Sequence, residues 1–211
     1  MEKTIFYMVR HGESEANKRD AYLGHYDLSL TETGRKQAEM AADFAATLGA
    51  DVIYASDLSR ARHTAFATAR RLGLPVYAAP QVREMYMGQW ENMTFDRVRS
   101  DYGELFAIWA NDIANGVTPG GETVKQLESR VLAAMTQIAQ ANPGKRVLVF
   151  SHGTPIRAMA ALGMGKSIND IAWPSNASVT TVEYADGKFT CTEYSRDDFM
   201  GELVTRLPDD V

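Results

Sequence analysis

The sequence predicts an α/β layered fold from three features: short apolar runs with no polar alternation, helical stripes between them, and glycine or proline at the joints. Thr4 to Val9 is the first run, β-branched and aromatic, as in a strand buried on both faces of a parallel sheet. After a polar loop, Thr31 caps a predicted helix whose Ala38, Ala41, Ala42, Ala45 and Leu48 recur at steps of three and four. Gly49 stops it. Val52 to Ala55 is the second strand, followed by an Ala- and Arg-rich helix from about Leu58 to Leu72. Gly73 and Pro75 mark a turn before the extended stretch Val76 to Ala79. Glu122 opens the longest helical pattern, striped by Val124, Leu127, Val131, Met135 and Ile138 and broken at Asn142-Pro143-Gly144. Arg146 to Phe150 is another apolar strand core, and Pro155 marks the start of a following helix. Ser178 to Tyr184 and Lys188 to Tyr194 alternate around Ala185-Asp186-Gly187, a hairpin pattern.

The 211 residues suit one domain spanning 1–211. From roughly Glu84 to Gly121 periodicity is weak and charge mixed, so this stretch reads as a partly helical lid insertion rather than a core layer. The chain is 45% hydrophobic and 23% charged, a globular composition. Lys and Arg number 22 against 27 Asp and Glu, a net charge of −5. That balance excludes a dedicated nucleic-acid binder. A single cysteine, Cys191, excludes a disulfide-stapled scaffold and reads as a buried hydrophobe in a strand. No apolar run approaches the roughly 20 residues of a membrane span, and Arg10 stops the N-terminal run too early for a signal peptide. A cytoplasmic protein with no membrane partner is expected.

Two strand-to-helix junctions end in histidine and glycine: Arg10-His11-Gly12-Glu13-Ser14 and Ser151-His152-Gly153-Thr154. Ligands in open parallel sheets bind beyond the carboxyl ends of the strands. Both histidines are thus expected in one crevice, with Gly12 and Gly153 leaving room for a ligand. The following helix aims N–H groups at the crevice, which suits an anion. Arg10 adjoins His11, and Arg60 and Arg62 open the second helix, where a cation opposes the dipole. At least one of them is therefore expected to serve a ligand, Arg60 rather than a solvated Arg62; guanidinium groups grip phosphate bidentately. Asn17 adds a donor. Phosphoryl transfer needs an in-line nucleophile, cations on the equatorial oxygens and a proton for the leaving group. Neutral imidazole is a competent nucleophile, and flanking cations keep its pKa low. Glu84 is placed to act as the acid and then the base.

Arg10-His11-Gly12-Glu13-Ser14 with Asn17 resembles the signature of the histidine phosphatase (phosphoglycerate-mutase-like) superfamily. The likeness continues through Gly24, Asp27, Leu30, Thr31, Gly34, Gln37 and Ala38, then Ser56-Asp57-Leu58-Ser59-Arg60-Ala61 with Thr64-Ala65. Glu84 with Gly88, Trp90 and Glu91, Pro119-Gly120-Gly121-Glu122, and Ser151-His152-Gly153 with Arg157 complete it. The resemblance implies a three-layer α/β/α sandwich with a mostly parallel sheet. It also implies His11 as the phosphorylated nucleophile, Glu84 as proton donor, and Arg10, Arg60 and His152 around the phosphoryl oxygens with Asn17 assisting. No metal or other cofactor is implied. Leu23, Met87 and Asn92 depart from the usual Gln, aromatic and Gly of the family. Those positions, with Gly24, are expected on the leaving-group side, so the departures bear on substrate choice and leave the phosphoryl core intact.

A metal site is the competing use of the two histidines, but no His-x-x-x-His pair or carboxylate cluster supports it and adjacent arginines repel a cation. Ser151 lacks the Gly-x-Ser-x-Gly frame of a nucleophile elbow. Glu13 and Glu122 read as loop anchors or helix caps, and His25 and His63 as structural or solvent-exposed. The expected activity is metal-independent hydrolysis of a small phosphorylated substrate. A phosphoglycerate-type mutase is the first rival, and a silent phospho-ligand binder the second. Residues 91–120 hold two cations, Arg97 and Arg99, against five acids, a poor grip for a multiply charged substrate. Pairing into a homodimer stays open.

Overall fold

A computed structural model describes residues 2–207; the remainder of the expected 1–211 span lies outside the described residues. Six strands form one sheet in the order β3-β2-β4-β1-β5-β6. They are β1 (Thr4–Arg10), β2 (Val52–Ala55), β3 (Val76–Ala78), β4 (Arg146–Ser151), β5 (Val179–Ala185) and β6 (Lys188–Arg196). The first four are mutually parallel. β5 runs antiparallel to β1 and pairs with β6 through the Asp186-Gly187 turn. Both turn residues take positive φ, 50° and 79°, as a two-residue hairpin requires.

The continuous apolar strands have both faces covered. Val9, Ile53, Leu148 and Phe150 pack with Ala41 and Ala45 of α1 (Glu32–Ala46) and Ala65 of α2 (Ser59–Leu72). Phe6, Met8, Val147 and Val149 pack on the other face with Leu127, Val131 and Met135 of α5 (Val124–Ala141), and with Ile156 and Met159 of α6 (Gly153–Met164). The result is the three-layer α/β/α sandwich the sequence implies. Thr31 caps α1 by accepting from the Gly34 amide, and Thr123 with Gln126 closes a full capping box on α5.

The segment 84–121, read from the sequence as a partly helical insertion rather than a core layer, is partly helical and also adds side chains to the core. It carries α3 (Phe95–Asp101) and α4 (Gly103–Asn111), and its Met85, Met87, Trp90, Val98, Phe106 and Trp109 join the core on the α5/α6 side. Each helix is too short for a strong periodic signal and buries only two side chains, Phe95 and Val98 in one, Phe106 and Trp109 in the other. Trp90 packs edge-on to Trp109, with ring centroids 6.0 Å apart. Gly88, at φ +56°, lets the two ends of the segment cross: a Cβ there would lie 2.3 Å from the Pro119 carbonyl oxygen. Cys191 is half-buried in β6 rather than fully inside. No helix among the described residues is long and apolar enough to cross a membrane.

Candidate active site

Strand register builds the site. β1 and β4 are adjacent and parallel, with Arg10 paired to Ser151, so His11 and His152 leave the sheet side by side at its carboxyl edge. Their ring centroids lie 5.2 Å apart, edge to face. Gly12 makes the first turn possible, since a Cβ there would sit 2.4 Å from the Gly34 carbonyl oxygen. β2 pairs with β4 so that Ala55 faces Phe150, which delivers Ser56 to His152. The Ser56 hydroxyl lies 2.8 Å from His152 Nε2.

The His11 ring donates from Nδ1 to the Gly12 carbonyl at 2.7 Å, so Nε2 keeps its lone pair. Burial pushes the His11 pKa well below the usual histidine range, and Arg60 and then Arg10 push it further down. The ring is a neutral base at Nε2. His152 is also held neutral, by burial first and by Arg60 and His11 next. The Ser56 hydroxyl also accepts from the Leu58 amide, and with one donor and two lone pairs it matches either neutral tautomer of His152 at Nε2.

Arg10 and Arg60 are buried, and loss of water lowers each to a pKa of about 10, still fully charged at neutral pH. Arg10 Nη1 donates to the Pro174 carbonyl, while Arg60 donates to Gly24 and Tyr26 carbonyls at 2.8 and 3.2 Å. Among the buried side-chain atoms that meet no partner in the described residues are three nitrogens at this site: Arg10 Nε, Arg60 Nε and His152 Nδ1. An unpaired buried donor costs about 1–3 kcal/mol. Two such guanidinium donors beside one imidazole, with the His152 ring next to them, therefore describe a cradle for oxygens of an anion. The Asn17 carbonyl accepts from Ser14 N, Ser14 Oγ and Asn176 Nδ2, which reserves its own Nδ2 as a further donor.

Arg10, His11, Asn17, Leu23, Gly24, Arg60 and Glu84 line one cleft. His152 and Gly153 are buried and do not line it themselves, Gly153 lying against Trp173, which does. Glu84 Oε2 accepts from the Thr154 amide at 3.3 Å, at the positive end of α6, and Oε1 accepts from the Met85 amide at 2.8 Å. Of the three departures, Leu23 and Met87 line the cleft and Asn92 does not. Asn92 instead takes a left-handed φ of 61° and accepts from Arg19, which explains why an asparagine fits a position glycine usually holds. Among the described residues no three His, Cys, Asp or Glu side chains group to hold a metal ion.

The model of the histidine phosphatase superfamily, branch 1, matches residues 6–197. The chain belongs to that family. A probable phosphoglycerate mutase GpmB of Enterobacter sp. (strain 638) is 31% identical over 182 residues, 85% of each chain. Phosphoserine phosphatase 1 of Hydrogenobacter thermophilus is 29% identical over 199 residues, 93% of this chain and 94% of that one. The structure of Bacillus stearothermophilus YhfR superposes with a TM-score of 0.88 at 26% identity, covering 93% of this chain and 98% of its own.

In this histidine phosphatase, several residues that the sequence did not single out position the others. Arg130 on α5 donates to the carbonyls of Gln81, Arg83 and Glu84 at 2.7–2.9 Å and pairs with both oxygens of Glu122. His25 Nε2 meets the same Glu84 carbonyl at 2.9 Å, a structural use of that ring. Asn176 donates to the His11 carbonyl and to Asn17. Glu122 and Glu13 act as loop anchors, Glu13 by accepting from Thr31 at 2.6 Å. Arg62 is exposed over Phe66, as a solvated helix residue should be, and His63 is exposed as well.

Proposed function

We propose that this chain is a phosphatase that hydrolyses small phosphomonoesters through a phosphohistidine at His11. The observation that carries the reading is the pair of partnerless buried guanidinium nitrogens, Arg10 Nε and Arg60 Nε, with the unpaired His152 Nδ1, around a neutral ring whose Nε2 keeps its lone pair. In the first step Nε2 bonds to phosphorus while the ester P–O bond breaks. The guanidinium groups, His152 and Asn17 neutralise the oxygens, and Glu84 gives its proton to the departing alkoxide. In the second step the Glu84 carboxylate takes a proton from water, the hydroxide attacks phosphorus and the P–N bond breaks. Inorganic phosphate leaves and Glu84 is protonated again.

The mutase alternative needs cations on the insertion to grip a second negative group. Arg97 pairs with Asp101 and Arg99 with Asp96, and neither lines the cleft. Hydrolysis fits better. The purified protein is expected to cleave p-nitrophenyl phosphate without added metal and at the same rate in EDTA. It should also take up an acid-labile, base-stable phosphoryl label that His11→Ala lacks. Complete loss of activity on chelation would refute a metal-free step, and phosphate-ester binding with neither label nor turnover would favour a silent relative.

A further inference from the structure

Resting on that phosphatase reading, we infer that the preferred leaving group is an uncharged, apolar alcohol of aryl or aralkyl kind, and not a sugar acid or amino acid. The cleft has two chemically distinct halves. Its charged lining side chains, Arg10, Arg60 and Glu84, gather with His11 at the phosphoryl end. The rest of the lining is an uncharged and mostly apolar wall, with Tyr22, Leu23, Met87, Phe95, Trp109 and Leu207 as large side chains beside Trp173, and Ser14, Asn17 and Thr154 as its smaller polar members. No lysine lines it, and no arginine besides Arg10 and Arg60, among the described residues.

The neighbouring cations are committed elsewhere. Arg83 is paired with both oxygens of Asp57, and Arg19 is held by Asn92 and the Glu15 carbonyl. Arg157 lies 4.1 Å from the Trp173 ring and donates to the Ile168 and Ile171 carbonyls, outside the cleft lining. A carboxylate on the leaving group would give up water for thioether, aliphatic and aromatic surface with no counter-charge. An apolar ring there gains the burial of its own surface. For a side-chain-sized ring that gain corresponds to roughly ten- to hundredfold in kcat/KM.

The wall is also packed against its own neighbours. Tyr22 packs edge-on to Phe95, with centroids 4.7 Å apart, and edge-on to Trp109 at 6.2 Å. The backbones of Tyr22 and of Asn92 and Met93 are hydrogen-bonded to each other at 2.7 and 2.9 Å, so the wall is tied to the insertion rather than hung on a loose loop.

The test compares esters of primary alcohols, so that leaving-group acidity does not decide the result: 2-phenylethyl phosphate against 3-phosphoglycerate and O-phosphoserine. Phenylethyl phosphate is expected to lead both by about tenfold or more in kcat/KM, mainly through KM. Leu23→Gln and Trp109→Leu should each narrow that lead; Leu23→Gln puts a polar amide into the wall without emptying the core. Equal or better cleavage of phosphoglycerate or phosphoserine, with His11 still labelled, would overturn the apolar leaving group and leave the phosphatase reading standing. Absence of both label and turnover on every ester would overturn the two together.

Discussion

His11 shows how little a side chain does alone. Its nucleophilicity rests on a hydrogen bond from Nδ1 to the adjacent Gly12 carbonyl, on burial, and on two guanidinium groups that keep a third positive charge off the ring. Glu84 is the complementary residue, and its role separates cleanly by substrate. With an alkyl phosphate, Glu84→Gln should lower kcat by roughly 10²–10⁴-fold, because the alkoxide then leaves without its proton. With p-nitrophenyl phosphate the phenolate departs unaided, so the same variant should give a rapid burst of one phenolate per enzyme and then stall at the phosphoenzyme. Stopped-flow absorbance reads both phases; steady turnover at the native rate on both esters would remove Glu84 from the chemistry. His11, Arg10 and His152 were legible in the sequence because a buried strand that ends in His-Gly has one direction left to point. The Ser56 contact to His152 Nε2 was not legible, since it depends on β2 lying next to β4.

At the scale of elements, the site depends on a clamp between α5 and the loop that carries Glu84. Arg130 reaches three carbonyls of residues 81–84 and both oxygens of Glu122, so one planar fork fixes where the segment leaves the sheet and where it returns. Arg130→Lys keeps the charge but loses the fork. It should lower kcat by roughly a hundredfold through displacement of the acid, with KM for an alkyl phosphate little changed and the loss smaller for p-nitrophenyl phosphate. A parallel fall on both esters, or a rise in KM alone, would make Arg130 only a support for folding. Nothing in the sequence marks Arg130: on α5 it sits among the polar residues off the apolar stripe, and its partners are 8 to 49 positions away. The helices α1, α2 and α5 were readable from their stripes and caps. α3 and α4 were not, because short helices that bury two side chains each leave little periodicity to find.

For the molecule as a whole, the same burial that makes the site reactive sets how stability responds to acid. His11 and His152 have native pKa values well below the ordinary 6.5. The unfolded chain therefore binds more protons than the native one as pH drops below about 6.5, and stability must fall with acidification, not rise. Each histidine contributes a slope of at most about 1.4 kcal/mol per pH unit until its native pKa is reached. Asp57, held below its ordinary 3.8 by the Arg83 pair, acts the same way but in a lower window. Between about 6.5 and 5 the two imidazoles dominate, opposed at the acid end by Glu128, whose carboxyl burial pushes up. Urea unfolding across that interval should show midpoints that decline steadily as pH falls, and His152→Asn should flatten the decline whatever its effect on absolute stability. A midpoint that holds level or climbs on acidification would mean that the two rings take up protons in the folded protein, and the neutral nucleophile at the sheet edge would be lost with them.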